Sequence, residues 1–244
     1  MYWDYAIIFV TLGALVPLLG RRRVERILKT AQTTQRERLR LYASTVVFQW
    51  TLTAVVLWRG FAHEMSHADF GLALPRPWLT AIISVGLVGL LLLNQIVSLQ
   101  QVGSNPEQLH GKLAQVALRI FPRDRAEGVA FFGVVATVAI CEEVVFRGFV
   151  QGVFQSWSER TLVAVVASAA LFSIAHLYQG RRGLIATFIV GVLFSVTRSW
   201  TGSLIPCCVG HFAVDFVAGY FLPERLRKAL SAASSAPSVY LQLP

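Results

Sequence analysis

The fold of this chain is decided by residues 128–150, which read GVAFFGVVATVAICEEVVFRGFV. A helix of about 20 largely apolar residues crosses the ~30 Å hydrocarbon layer of a bilayer, at about 1.5 Å per residue. Three ionisable residues, Glu142, Glu143 and Arg147, lie within this apolar stretch. At bilayer depth such residues are costly unless they are paired or face a wet cavity. The stretch therefore predicts a membrane-spanning helix that carries a functional site.

Further apolar segments lie on both sides of this one. Hydrophobic residues make up 55% of the 244 residues and charged residues only 14%, against roughly 25% charged in an ordinary soluble domain. The predicted spans are residues 2–20, 42–58, 78–99, 128–155, 161–178, 183–200 and 203–222. We therefore expect an all-α, polytopic integral membrane protein with about seven transmembrane helices and the lipid bilayer as its partner.

The formal net charge of +9 bears mainly on topology. Eight basic residues lie in the connection 21–40. If the chain crosses the membrane at each of the seven predicted spans, seventeen Lys and Arg residues of the connections lie on one side of the membrane and four on the other. Because cytoplasmic loops are rich in Lys and Arg, this asymmetry predicts an N-terminus outside and a C-terminus inside, in a bacterial cytoplasmic membrane. No nucleic-acid partner is expected.

We expect one membrane domain, in which a middle part, residues 128–228, lies between an N-terminal part and a C-terminal tail. Residues 1–127 hold the N-terminal transmembrane helices and connecting loops. They include an amphipathic helix predicted to start at Asn105 and Pro106, to end before Pro122 and to lie on the membrane surface. Residues 229–244 are rich in Ser, Ala and Pro and are predicted to be a disordered tail.

Chemically active residues cluster on three of the predicted spans. The clusters are CEEVVFRG at 141–148, FSIAH at 172–176 and HFAVD at 211–215. Glu143 and Arg147 are one turn apart and can pair, whereas Glu142 lies about 100° around the helix and can face another helix. His176 and His211 are its expected partners. Such clusters also occur as interhelical hydrogen bonds or as proton relays in transporters.

In order and spacing these clusters resemble the motifs EExxxR, FxxxH and HxxxN of the CPBP family of intramembrane endopeptidases, which includes the CAAX prenyl endopeptidases and the bacteriocin-processing and abortive-infection proteins. The resemblance implies a catalytic helical core, residues 128–228. In that core Glu142 and His176 activate a water, while His211 and residue 215 stabilise the oxyanion. Asp215 stands where the family usually has Asn, and an ionised carboxylate cannot donate a hydrogen bond. We expect Asp215 to be protonated or turned towards His211.

The resemblance also implies supporting roles for three residues. Glu143 paired with Arg147 would hold the helix and orient Glu142. Phe172 lies one turn before His176 and would pack against it.

Two zinc sites are alternatives to a metal-free mechanism. The first uses Glu142, His176 and His211 as three ligands with water in the fourth position. The second is HEMSH at residues 63–67, which fits the HExxH signature through His63, Glu64 and His67. This motif lies in a short polar connection without an obvious third ligand. Because the resemblance favours the metal-free form, no cofactor is expected and zinc is kept as the alternative.

We therefore predict an intramembrane endopeptidase that hydrolyses a peptide bond of a membrane-associated protein or peptide. A catalytically silent immunity or scaffold protein of the same fold and a proton-coupled transporter are the alternatives from other functional classes. The identity of the substrate and the oligomeric state are not determined by these sequence patterns.

Overall fold

The computed structural model describes residues 2–30, 32–101 and 111–235. Within these ranges the chain forms eight helices and no strand. The helices are α1 (Trp3–Lys29), α2 (Gln35–Ala62), α3 (Pro77–Gln100), α4 (Lys112–Ile120), α5 (Arg125–Ser158), α6 (Thr161–Ala175), α7 (Gly180–Thr201) and α8 (Ile205–Ser235). A 3-10 turn, Leu177–Gln179, precedes α7.

Six of these helices are long and apolar enough to cross a membrane, namely α1, α2, α3, α5, α7 with its preceding turn, and α8. Helix α6 is apolar but has only 15 residues. At 1.5 Å per residue it is about 22 Å long, which is shorter than the ~30 Å hydrocarbon layer. The predicted all-α, polytopic fold is confirmed, with six long spans and one short apolar helix where about seven spans were expected.

Helix α5 lies at the centre of the bundle. Its most apolar segment is 56% buried within the protein, against 17–28% for the other five long helices. Val145 and Phe149 of α5 share one buried cluster with Leu12 of α1, Val56 of α2 and Phe172 of α6. Glu143 and Arg147 of α5 are therefore surrounded by protein rather than by lipid.

A π-helical segment, Val144–Val150, interrupts α5 directly after Glu142 and Glu143. A π turn closes i→i+5 hydrogen bonds and adds one residue to the α-helical phase, and such turns are frequent at functional sites. Arg147, in the first turn of this segment, still reaches Glu143, whereas the side chains after the segment are shifted from the directions that a regular α-helix predicts.

Helices α2 and α5 run parallel and are joined at two levels. Near the start of both helices, Arg38 donates to Glu127 through Nη2 at 2.6 Å and through Nε at 2.9 Å, with both side chains buried. Further along both helices, Gln49 contacts Glu142. The bidentate ion pair fixes the two helices so that Gln49 faces Glu142.

The amphipathic helix that was expected to end before Pro122 is present, and its described part is α4. Residues 102–110, which contain the predicted start at Asn105 and Pro106, lie outside the described residues, and the described helix starts at Lys112 after Gly111. Its buried Ala114 and Ala117 share a cluster with Leu226 of α8. Much of its apolar face therefore packs on protein.

The boundary of the C-terminal tail is corrected by the structure. A disordered tail was predicted from residue 229, but α8 continues to Ser235. Packing explains the difference, because the partly buried Ala229 and Leu230 join the cluster around Leu226. Residues 236–244 lie outside the described residues.

Candidate active site

Glu142 presents one anchored and one free carboxylate oxygen. Its Oε1 accepts a hydrogen bond from Gln49 Nε2 at 2.8 Å. Its Oε2 is buried without a hydrogen-bond partner among the described residues and lies 3.8 Å from Nε2 of His176. Because Oε1 is held, the lone pairs of Oε2 are the ones available for chemistry.

His176 faces this free oxygen from the end of α6. Its Nδ1 lies 2.8 Å from the carbonyl oxygen of Phe172. A carbonyl can only accept, so Nδ1 carries the hydrogen, and Nε2 of the neutral ring is then an acceptor. The 3.8 Å between Nε2 and Glu142 Oε2 exceeds a hydrogen bond but suits one water about 2.8 Å from each atom. Such a water would donate one hydrogen to each residue.

The neighbouring carboxylate, Glu143, has a different environment. Its Oε1 accepts from Arg147 Nη1 at 3.0 Å and from His211 Nδ1 at 2.8 Å. The side chains of Glu143 and Arg147 are completely buried, and that of His211 is 9% exposed. Glu143 therefore connects α5 to α8 in the protein interior, whereas Glu142 faces a cavity.

Two aromatic rings complete the environment of Arg147. Its guanidinium carbon lies 4.1 Å from the ring centroid of Phe172 and 5.2 Å from that of Phe194. Its Nε and Nη2 have no hydrogen-bond partner among the described residues. The negative faces of the rings partly compensate these unbonded donors. Phe172 also lies 4.5 Å from the His176 ring, as the sequence predicted.

His211 lies between two carboxylates. Its Nδ1 is bonded to Glu143, and its Nε2 lies 3.5 Å from Asp215 Oδ2. Asp215 is thus turned towards His211, which is one of the two arrangements expected from its substitution for Asn. The distance is long for a hydrogen bond, so the contact is weaker than the one on the opposite side of the ring. The side chain of Asp215 is 38% exposed.

The four candidate catalytic residues meet at one cavity of about 670 Å³. Glu142, His176, His211 and Asp215 all line it. Its walls are otherwise largely apolar and include residues of α1 and α2 as well as of the core. The structure therefore brings together three motifs that are far apart in the sequence and encloses them with helices that precede the core.

Gln49 and Arg23 are among the polar cavity residues that lie outside the three motifs. Gln49 lies in the apolar run VVFQWTL of α2, and a polar amide at bilayer depth is a signal of function or of helix contact. Gln49 does not ionise, whereas the residues that reveal the three motifs in the sequence do. Arg23 also lines the cavity but was counted only as part of the basic connection 21–40.

The HEMSH motif does not have the helical geometry that its zinc interpretation requires. Helix α2 ends at Ala62, and Glu64 has a left-handed backbone with φ of 63°. Nε2 of His63 lies 2.9 Å from Oδ2 of Asp4 in α1. His63 and His67 are therefore not one turn apart on a helix, and the proposed HExxH site is corrected to a connection that contacts α1.

The other zinc alternative is compatible with the hydrogen bond that His211 makes. A metal-ligating His usually donates its other ring N–H to a carboxylate, as Nδ1 of His211 does to Glu143, and Nε2 of His211 makes only a 3.5 Å contact with Asp215. In the described part of the chain, no group of three or more His, Cys, Asp or Glu side chains is arranged to hold a metal ion. A zinc site formed by Glu142, His176 and His211 would therefore require these side chains to move from the positions that they occupy here.

Comparison with known proteins agrees with the motifs. Residues 125–217 match the family model described as type II CAAX prenyl endopeptidase Rce1-like. This segment is Rce1-like. The match covers α5, α6, α7 and the first part of α8, contains all three motifs, and supports membership of the CPBP family. The comparisons found no match among curated proteins or solved structures.

Proposed function

We propose that this protein is a CAAX-type intramembrane endopeptidase that hydrolyses a peptide bond of a membrane-associated protein or peptide. The Rce1-like family is a protease family, and several apolar helices make the chain an integral membrane protein. The observation that carries the proposal is the 3.8 Å gap between the free Oε2 of Glu142 and Nε2 of His176, at the wall of a largely apolar cavity. Two acceptors at this distance can hold and activate a water.

In the proposed reaction, the water between Glu142 and His176 attacks the carbonyl carbon of the substrate. Its proton passes to the Glu142 carboxylate as the new C–O bond forms, and the carbonyl oxygen becomes an oxyanion. When the tetrahedral intermediate collapses, the C–N bond breaks and Glu142 returns the proton to the leaving amine. Gln49 keeps Glu142 oriented throughout through Oε1.

His211 is the proposed donor to the oxyanion. The Nδ1–H···Glu143 bond fixes the ring, and Arg147 holds Glu143 in place. We propose that Nε2 also carries a hydrogen, which lies near Asp215 in the resting enzyme and is donated to the oxyanion during the reaction. The 3.5 Å contact with Asp215 is long for a hydrogen bond, so the Nε2–H group loses little free energy when it donates to the oxyanion instead. In surroundings that hold little water, the hydrogen bond from Nε2–H to the oxyanion is stronger than it would be in bulk water.

We propose that the reaction needs no metal and that the N-terminus faces outside and the C-terminus inside a bacterial cytoplasmic membrane. The first proposal is supported by the positions of the described residues, among which no group of three or more His, Cys, Asp or Glu side chains is arranged to hold a metal ion. The second is supported by the eight basic residues of the connection 21–40.

The proposed function is tested with purified protein and a pool of membrane-derived peptides, with new termini identified by mass spectrometry. Glu142→Gln removes the base but keeps the volume and the contact with Gln49, so cleavage should be abolished while the folded yield is unchanged. Glu159→Gln is the matched control, because this exposed carboxylate ends α5 away from the cavity. Cleavage by Glu142→Gln at the wild-type rate would refute the mechanism, and no cleavage by the wild type would favour a silent scaffold protein.

A further inference from the structure

A second groove lies where α5 begins beside α8, away from the candidate active site. It has a volume of about 750 Å³ and is lined by residues 122–125, by Gly128, Val129 and Phe132 of α5, and by Tyr220 of α8. The Tyr220 hydroxyl donates to the carbonyl oxygen of Gly128 at 2.5 Å and so joins the two helices. Among the described residues, none lines both this groove and the cavity that holds Glu142.

One end of the groove carries two exposed arginines, Arg123 and Arg125. Arg123 donates from Nη2 to the carbonyl oxygen of Leu118 at 3.2 Å, and its Nε and Nη1 make no hydrogen bond with a described residue. The side chain of Arg125 likewise has no hydrogen bond or ion pair within the described part of the chain. Two neighbouring guanidinium groups with unused donors suit the oxygens of a phosphate group.

The carboxylates beside these arginines are already engaged. Asp124 accepts from Gln35 Nε2 at 2.8 Å through Oδ2 and from the backbone N–H of Glu127 at 2.9 Å through Oδ1. Glu127 is buried and paired with Arg38 of α2. One negative charge, that of Asp124, therefore lines the groove against the two positive charges of the arginines. The balance of charge in the groove attracts an anion.

The remainder of the groove is apolar and follows α5 into the bilayer. Arg125, Val129 and Phe132 are spaced i, i+4 and i+7, so they share one face of the helix. Val129 is 77% exposed and Phe132 is 48% exposed, although both belong to a membrane-spanning helix. At 1.5 Å per residue, this face extends about 10 Å from Arg125 to Phe132. A charged end followed by an apolar wall matches the phosphate and acyl chain of a phospholipid.

We propose that this groove binds one anionic phospholipid, with its phosphate on Arg123 and Arg125 and part of an acyl chain along Val129 and Phe132. In the proposed topology this end of α5 faces the cytoplasm, where basic pockets between membrane-spanning helices bind anionic headgroups. Tyr220 is placed as expected for an aromatic ring at headgroup level. The lipid contacts both α5 and α8, so it stabilises the packing of these two helices. Lipid binding here does not depend on whether the protein cleaves peptides.

The test measures lipid binding to the purified protein in detergent by native mass spectrometry. Phosphatidylglycerol and phosphatidylcholine with the same acyl chains are compared, because the choline ammonium group opposes binding beside two arginines. We expect the wild type to bind phosphatidylglycerol with a Kd about tenfold to a hundredfold below that for phosphatidylcholine. Arg123→Gln combined with Arg125→Gln should remove this preference, and Arg125→Gln alone should reduce it.

Matched variants separate this groove from general effects of charge and of side-chain size. Arg181→Gln combined with Arg182→Gln removes the same charge from two exposed positions at the start of α7, and should keep the preference. Val129→Trp fills the apolar part of the groove while both arginines remain, and should weaken the binding of phosphatidylglycerol. Val47→Trp makes the same change at an exposed position of α2 and should have no effect. Size-exclusion chromatography confirms that each variant is folded.

Three outcomes would overturn the proposal. The first is equal binding of the two lipids by the wild type, including no binding of either. The second is an equal loss of preference in the Arg181→Gln and Arg182→Gln protein, which would indicate a general surface charge. The third is a rise in Tm with inorganic phosphate that requires Arg123 and Arg125 but is unchanged in Val129→Trp, which would indicate a site for free anions.

Discussion

Gln49 and Glu142 are joined by a 2.8 Å hydrogen bond between α2 and α5. Gln49 lies outside the Rce1-like segment, whereas Glu142 lies within it. The amide can donate to only one carboxylate oxygen in this arrangement, so it leaves the other oxygen directed at His176. The N-terminal helices therefore contribute to the candidate site as well as to its enclosure.

Gln49→Leu should lower kcat while the protein remains folded. Removing a hydrogen bond to a charged group costs about 1.5–3 kcal/mol, which corresponds to a loss of about tenfold to a hundredfold in rate if it acts in the transition state. KM should change little, because Gln49 is proposed to position Glu142 and not the substrate. Thr51→Ala, on an exposed position of the same helix, is the control. Unchanged kcat in Gln49→Leu would show that Glu142 needs no such support.

Glu143→Gln should mainly reduce stability. Glu143 is the shared acceptor of Arg147 and His211, and breaking a buried ion pair on one side costs about 3–5 kcal/mol. Thermal unfolding in detergent, followed by size-exclusion chromatography, should show a lower Tm and folded yield than for Glu142→Gln. The opposite order, with Glu142→Gln the less stable variant, would contradict the assignment of the two carboxylates.

Asp215→Asn should retain or increase cleavage, and Asp215→Ala should lose it. Asn restores a neutral donor beside His211, whereas Ala removes the contact at 3.5 Å. Asn cannot ionise, so any pH dependence of cleavage that arises from residue 215 should be absent in the Asn variant. The measurement is the pH dependence of cleavage of one peptide by both variants. An inactive Asn variant would mean that the carboxylate itself is required.

Prolonged chelation should leave activity unchanged, and the purified protein should contain less than one zinc per chain. The expected result follows from the described residues, among which no group of three or more His, Cys, Asp or Glu side chains is arranged to hold a metal ion. Zinc content by elemental analysis and activity are measured on the same samples. One zinc per chain, lost together with activity and restored by adding zinc, would establish the metalloprotease. Zinc that is lost in His63→Ala but kept in His211→Ala would instead locate it at the HEMSH motif.

Orientation is tested by cysteine labelling in intact cells. Arg36→Cys and Ala68→Cys place exposed thiols in the basic connection 21–40 and near Glu64. In a background without the native Cys141, Cys207 and Cys208, an impermeant thiol reagent should label position 68 and not position 36. Permeabilised cells should label both. Labelling of position 36 alone in intact cells would invert the proposed topology.

Local periodicity made several features of this protein predictable from its sequence. The spans follow from the length of each apolar run. The pairs Glu143–Arg147 and His211–Asp215 follow from the i,i+4 geometry of a helix, and both are present. The three motifs were recognisable because each lies within one helical turn or two. The family resemblance built on them is confirmed over residues 125–217.

Contacts between distant segments could not be obtained in this way. Gln49 and Glu142 are 93 residues apart in the chain, and His211 and Glu143 are 68 apart. The extent of α8 beyond residue 229 likewise depends on packing around Leu226. Helical periodicity determines which side chains share a face of one helix, but the partner of that face depends on how whole helices pack. Only the tertiary structure therefore decided that Glu142 faces the cavity and that His211 contacts Glu143.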